Sequence, residues 1–302
     1  MLMKALVRTE LGVRCLDVSV PTIRSTHDVL IRVSCAAICR TDVFAALGAI
    51  AVQPGRILGH EFTGIVEAVG AEVVCCKPAD RVVVNPLLSC GTCPDCEKNQ
   101  KHECSHTGLL GIQADGAFAQ WIVVHEVQVF KLSESICDAV GAYAEPLAAT
   151  MAILDAGLSK DRTIAVTGVG RIADLTKFIL QIHGYDVTAP DSDSSYEVVV
   201  ETDLCNANVE STLRLVRPGG LLILKSRMPE KLELPPVLCI IRRIRLQAVY
   251  YARFDQALEL LDRYAHRLTD FVGGDWPLEE YDAAFTAACA DGARKIYFKP
   301  NG

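Results

Sequence analysis

Nothing in this 302-residue chain approaches the roughly 18 consecutive apolar residues of a membrane-spanning helix, so no membrane is expected as a partner. Positive charge is also short. Thirty Lys and Arg stand against 37 Asp and Glu, a net charge of −7, with a pI of about 5.5. An acidic chain has no electrostatic footprint for nucleic acid, and that class of partner is set aside. The first residues, Met1-Leu2-Met3-Lys4-Ala5-Leu6-Val7-Arg8, hold too few apolar residues for a secretion signal and read as a first β-strand. No internal repeat and no low-complexity segment is present. Apolar residues are plentiful, 50% of the chain against 22% charged, which is ample for a packed core and argues against disorder. The length exceeds that of one usual domain, so two are expected.

The chain reads in distinct stretches. Up to about residue 130, short β runs such as 29–33, 64–69 and 81–84 are broken by Gly, Pro and Asp, which suggests an antiparallel barrel or sandwich. From about 147 the pattern changes. A buried strand at 163–167, a glycine-containing turn, a helical run from Ile172 to Ile182 and further strands at 186–189, 197–200 and 221–224 predict an α/β domain with a parallel sheet. Phe254 to Tyr264 is an amphipathic helix, and Lys295-Ile296-Tyr297-Phe298-Lys299 a last strand.

Thirteen cysteines, an odd number, in a chain without an export signal point to free thiols or metal ligands rather than disulfides. Most are scattered and read as small buried apolar residues. Cys90-Gly-Thr-Cys93-Pro-Asp-Cys96 followed by Cys104 is different. The CxxC spacing lets two thiolates converge from one tight turn, and tetrahedral zinc takes four thiolates at about 2.3 Å. Four cysteines with no open position predict a closed structural site that holds a loop. An iron–sulfur cluster would use the same ligand type, although no redox partner motif accompanies it.

A second set is weak residue by residue and specific in combination. Cys39-Arg40-Thr41-Asp42, Gly59-His60-Glu61, Asp80-Arg81-Val82, the four-cysteine lobe, Asp115-Gly116-Ala117-Phe118-Ala119 and Glu145-Pro146-Leu147 follow one another in this order. The frame resembles the zinc-dependent medium-chain alcohol dehydrogenases, and the Glu-Pro-Leu element is most similar to their polyol (sorbitol-like) and threonine dehydrogenase branch. The resemblance implies a catalytic zinc held by Cys39, His60 and Glu145, with Glu61 either binding directly or standing just outside. It implies that zinc acts as a Lewis acid on the alcohol oxygen. Thr41 would then accept the alcohol proton, and Asp42 would orient His60. As isolated residues, Thr41 and Asp42 could simply cap a helix, and Glu61 could be a surface carboxylate. Phe44 departs from the family, many of whose members carry a proton-relaying histidine there. Arg40 matches an arginine that contacts the cofactor pyrophosphate in some members.

Gly168-Val-Gly170-Arg171-Ile172-Ala173 follows a strand and opens a helix, the context a dinucleotide fingerprint needs. Asp191 ends the second strand, where an acid bonds the ribose hydroxyls and favours NAD over NADP; alternatively it is a turn aspartate. Full family members carry a further helix, strand and helix beyond that point. Here only 192–197 separate Asp191 from the next apolar run, and six residues cannot form a helical crossover. The sheet is therefore expected to lack one edge, the link to be nearly straight, and Asp191 to be displaced or solvent-exposed. The element at 247–251, glycine-rich in the family, reads Gln-Ala-Val-Tyr-Tyr.

These readings combine into a GroES-like β catalytic domain, residues 1–146 with 268–302, and a truncated doubly wound Rossmann domain, 147–267. The implied function is reversible oxidation of a secondary alcohol, polyol or amino-alcohol in type, to a ketone with NAD and two zinc ions per chain. The substrate is a small molecule, the compartment cytoplasmic, and a homo-oligomer, dimer or tetramer, is expected. The rival reading is a non-redox zinc enzyme, lyase or hydrolase, on the same scaffold with weakened nucleotide binding.

Overall fold

A computed structural model of the protein describes residues 1–290 and 292–302. The chain forms two compact units, Met1–Pro146 with Arg253–Gly302, and Leu147–Ala252. The helix Phe254–Leu268 thus belongs to the first unit, not to the cofactor half as expected. Phe254 is buried there with its ring 5.2 Å from that of Phe130. Amphipathic spacing announces a buried face without saying which core receives it.

The first unit opens with a hairpin, Leu2–Thr9 and Gly12–Ser19, whose two-residue loop closes at Gly12 with φ +109°. Its main sheet has the order Val272–Trp276, Lys295–Phe298, Asp28–Ala37, Glu61–Val69, Arg81–Val84, Val129–Lys131, and Trp121–His125 also pairs with Asp28–Ala37. The pairings are antiparallel except the first. Along Asp28–Ala37, Val29, Ile31, Val33 and Cys35 alternate inward and are buried. The C-terminal strand completes the sheet, with Tyr297 opposite Ala37.

The Asp115–Phe118 run lies along 57–59. Gly116 N–H donates to the Ile57 carbonyl at 2.8 Å, Phe118 N–H to Leu58 at 2.8 Å and Ala117 N–H to Gly59 at 2.9 Å. The fit is possible only because Gly116 has no side chain. A Cβ there would lie 2.1 Å from the Gly59 oxygen. This clamp fixes the backbone from which His60 projects.

The second unit holds a parallel five-stranded sheet in the order Val187–Thr188, Ile164–Thr167, Tyr196–Glu201, Val216–Leu224, Arg245–Ala248. Its core includes Ala165, Val199, Leu213 and Leu222, and the helix Arg171–Ile182 packs Leu175, Phe178 and Ile179 inward. One edge of a six-stranded arrangement is missing, as the short link required. The link itself is not straight. Ser194 N–H bonds the Asp191 carbonyl at 3.1 Å, a turn. Straightness was expected from a full-length second strand, but that strand is two residues long. Thr188 stands level with Ala165, and Val198 level with Ile164. The chain therefore runs back only about 10 Å and across about 10 Å, which leaves slack for a turn. Among the described residues no helix is long and apolar enough to cross a membrane.

Candidate metal centres and cofactor turn

The four cysteines of the lobe converge. Cys90 and Cys96 Sγ are 4.0 Å apart, Cys93 and Cys104 3.8 Å, and Cys104 and Cys90 3.6 Å. Four sulfurs at about 2.3 Å from one zinc stand about 3.8 Å from each other, so this spacing fits the ion. It is far too long for disulfides, and all four are free thiols. Backbone N–H groups face the sulfurs: Cys90 N–H reaches Cys104 Sγ at 3.3 Å and His106 N–H at 3.4 Å. The N–H groups of Thr92 and then Cys93 pull the Cys90 thiol down to about 5, toward the thiolate that zinc binds.

Cys39, His60 and Glu61 form the second group, with all three ligand atoms within 4.8 Å of one another. Cys39 precedes the short helix Arg40–Ala46, and His60 leads into the strand Glu61–Val69. Asp42 joins them. One carboxylate oxygen accepts from Cys39 N–H at 2.9 Å; the other faces His60 Nδ1 at 3.1 Å and accepts from Gly59 N–H at 3.2 Å. Asp42 is thus both a helix cap and the partner that turns the other imidazole nitrogen toward the site. Both sequence readings of Asp42 describe one geometry. Thr41 is half-buried on the same helix turn, Arg40 is exposed, and Phe44 is half-buried.

Charge is concentrated here. Burial opposes ionisation of the Cys39 thiol, but the His60 imidazole and then Lys295 outweigh it and bring the thiol down to about 6. Burial likewise opposes a charged His60, yet Asp42 and Cys39 hold it well above the ordinary histidine range. Burial pushes the Glu61 carboxyl well above its usual range against the pull of Lys295. A half-buried thiolate beside a buried imidazolium is a pair whose proton a divalent cation displaces. The residues therefore fit zinc. Glu145, on the helix Ala144–Met151, is 4% exposed and acts electrostatically on Cys39 and Glu61, but stands outside the three-residue group.

Sequence reasoning missed Lys295. Its ammonium pairs with the Glu61 carboxylate, with side chains only 5% and 1% exposed. A lysine at the start of a tail strand carries no signal of that fate, because burial of this position comes from strands more than two hundred residues away.

In the second unit the fingerprint makes a turn that only glycine fits. Gly168 has φ +95° and Gly170 φ +91°. A Cβ at Gly168 would lie 2.3 Å from Thr202 Oγ1, whereas one at Gly170 would meet open space. Gly170 caps Arg171–Ile182, and Arg171 and Ile172 are half-buried on its first turn. Open space at a helix N-terminus suits a pyrophosphate. Asp191 is exposed, and its two oxygens accept from Asp193 N–H at 3.1 Å and the Ser194 hydroxyl at 3.2 Å. It sits in a turn, the alternative kept open from the sequence. The bulk at 247–251 has a use: the Tyr250 and Tyr251 rings each lie 4.6 Å from the Arg227 guanidinium.

The alcohol dehydrogenase GroES-like domain family matches residues 25–134. L-threonine 3-dehydrogenase of Symbiobacterium thermophilum is 32% identical over 191 residues, 61% of this chain and 54% of its own. Galactitol 1-phosphate 5-dehydrogenase of Escherichia coli K12 is 28% identical over 245 residues, 77% of this chain and 71% of its own. The chain spans about half the length of the threonine dehydrogenases it matches. A protein of Sinorhizobium meliloti 1021 described as a zinc-binding dehydrogenase, solved bound to NADP, superposes with a TM-score of 0.88 at 25% identity, covering 99% of this chain and 100% of that one.

Proposed function

We propose that this chain, which belongs to the zinc-dependent medium-chain alcohol dehydrogenases in their polyol and threonine dehydrogenase branch, oxidises a secondary alcohol of polyol or amino-alcohol type reversibly to a ketone with NAD. The carrying observation is the cluster of half-buried Cys39 with buried His60 and Asp42, beside Glu61, Glu145 and Thr41. Two zinc ions per chain are part of the reading, one on Cys90, Cys93, Cys96 and Cys104, the other on Cys39, His60 and a carboxylate. When bound at the second site, zinc supplies Lewis acidity that lowers the pKa of the alcohol. Thr41 takes the alcohol proton through its hydroxyl. With Phe44 in place of a relaying histidine, that proton leaves through water. Asp42 keeps the imidazole oriented, and the clamp at Gly116 holds the backbone of His60. Gly168, Gly170, Arg171 and Ile172 receive the pyrophosphate, and Asp191 disfavours a 2′-phosphate. The reading places the enzyme as a homo-oligomer in the cytoplasm, a reducing compartment that suits thirteen free cysteines.

The test is titration of NAD, NADP and their reduced forms into zinc-loaded protein, followed by turnover with sugar alcohols and L-threonine. Saturable binding and substrate-dependent appearance of reduced nicotinamide are expected. Substrate loss without any change in nicotinamide would replace the reading with a non-redox zinc enzyme.

A further inference from the structure

Two cysteines stand apart from both metal sets. Cys75 and Cys76 are neighbours in the loop between the strands Glu61–Val69 and Arg81–Val84, Cys75 half-buried and Cys76 buried, with their Sγ atoms 3.7 Å apart. The loop is pinned where they sit. Gly70 N–H donates to the Asp28 carbonyl at 2.8 Å and Glu72 N–H to the Thr26 carbonyl at 2.9 Å. Val74 N–H donates to one carboxylate oxygen of Glu126 at 3.1 Å, and the other faces His27 Nδ1 at 2.6 Å. The Glu126 carbonyl oxygen lies 3.6 Å from Cys75 Sγ. The pair is poorly placed for a disulfide. Adjacent Cα atoms are about 3.8 Å apart across a trans peptide, whereas disulfides usually need about 4.4 Å or more. A single atom bonded to both sulfurs at about 2.3 Å spans the observed 3.7 Å gap at an angle of about 107°.

Two observations decide which atom that is. Structural zinc takes four donors, and among the described residues no third Cys, His, Asp or Glu converges with this pair. Protonation also counts against a free cation. Burial, and then the Cys75 thiol, push Cys76 up to about 12, so a cation at pH 7 gives up about five powers of ten in affinity to displace that proton. A trivalent arsenical of the type R–As=O meets both conditions. It takes two thiols on one atom: R–As=O + 2 R′–SH gives R–As(SR′)2 + H2O. The oxide oxygen leaves as water with both thiol protons, and arsenic stays trivalent. We propose that Cys75 and Cys76 form a dithiol site for mono-substituted arsenic(III) compounds. Half-buried Cys75 makes the first bond and buried Cys76 closes the chelate. The strand Glu61–Val69 runs from the Cys39 cluster to this loop, a length of about 26 Å, so the site fills without touching that cluster.

The experiment uses the whole chain after incubation with zinc. Phenylarsine oxide is the probe, added with excess glutathione, whose single thiol does not chelate. Retained arsenic is counted by intact mass and located by peptide mapping. One equivalent is expected on the peptide that holds Cys75 and Cys76, with no zinc released, and the dithiol 2,3-dimercaptopropanol should remove it. Cys75→Ala and Cys76→Ala should each weaken retention by about a hundredfold or more, the effect of losing the second, intramolecular bond. Should Cys76→Ala not fold, Cys75→Ala decides alone, since its side chain is only half-buried. No arsenic retained by the wild-type protein would overturn the proposal. So would arsenic that persists undiminished in Cys75→Ala, or that maps to the four-cysteine lobe with release of zinc.

Discussion

A single methyl group at Gly116 would have to share space with the Gly59 carbonyl oxygen, since a Cβ there lies 2.1 Å from it. The strand pairing at 57–59 must part to admit it, and His60 moves with that backbone. Gly116→Ala should therefore lose about 2–4 kcal/mol of stability, at the upper end for point changes. It should also lower metal content at the Cys39 site selectively, checked by denaturant unfolding and metal analysis. The two metal sets should respond differently to loss of one sulfur. Cys93→Ser removes one of four ligands from a closed site that contributes to folding, and should lower the melting temperature by about 10 °C. Cys39→Ser opens a site that catalysis needs and folding need not, so it should melt near wild type and be inactive; equal melting losses would count against this division. Much of this was legible, for a local reason. Spacings such as CxxC, or His60 next to Glu61, fix geometry within a turn. Asp42 could be read as a cap or as a partner of His60, and it is both, because one carboxylate has two oxygens. Lys295 was not legible, since only the completed sheet buries it beside Glu61.

At the scale of elements, Tyr196 answers how a sheet dispenses with a crossover. It is buried at the start of its strand; its hydroxyl accepts from Asp191 N–H at 3.0 Å and donates to the Ala189 carbonyl at 3.3 Å. One side chain thus ties both sides of the short link to the next strand. Tyr196→Phe should cost about 1–2 kcal/mol by leaving those groups unpaired. Hydrogen exchange should quicken at 187–194 while the first unit is untouched; uniform exchange across both units would sink the idea. The sequence announced the short link, because six residues cannot make a helix crossover. It did not announce the turn, since strand length depends on pairing with a neighbour. Only two residues, Val187 and Thr188, find partners on Ile164 and Ala165. The same limit explains the helix Phe254–Leu268. Its apolar face was legible, but its partner Phe130 is a matter of tertiary packing.

For the whole molecule, the balance between metal and nucleotide is what the shortened sheet changes. The first unit keeps two candidate ligand sets, the clamp at Gly116 and the Asp42 carboxylate that caps the helix after Cys39. The second keeps the glycine turn and helix N-terminus on a five-stranded sheet, without the further edge strand and helix that the proposed reading expects on the adenosine side. If about 80 Å² of adenosine surface stays in water, the loss is about 2 kcal/mol, or roughly thirtyfold in affinity. NAD should therefore bind measurably but weakly, with most of the affinity carried by the pyrophosphate at Gly168–Arg171. Specificity should be weak for a related reason. Asp191 is exposed, and both its oxygens already accept hydrogen bonds in a turn, so its repulsion of a 2′-phosphate is screened by water. Asp191→Asn should narrow the preference for NAD over NADP by about fivefold, the scale of one exposed charge pair. It should scarcely change NAD affinity itself. Fluorescence titrations of NADH and NADPH into the wild-type and Asp191→Asn proteins measure both quantities. An unchanged NAD-to-NADP ratio would remove Asp191 from the cofactor site, and an NADH affinity matching that of relatives with a complete sheet would show that adenosine is covered by other means.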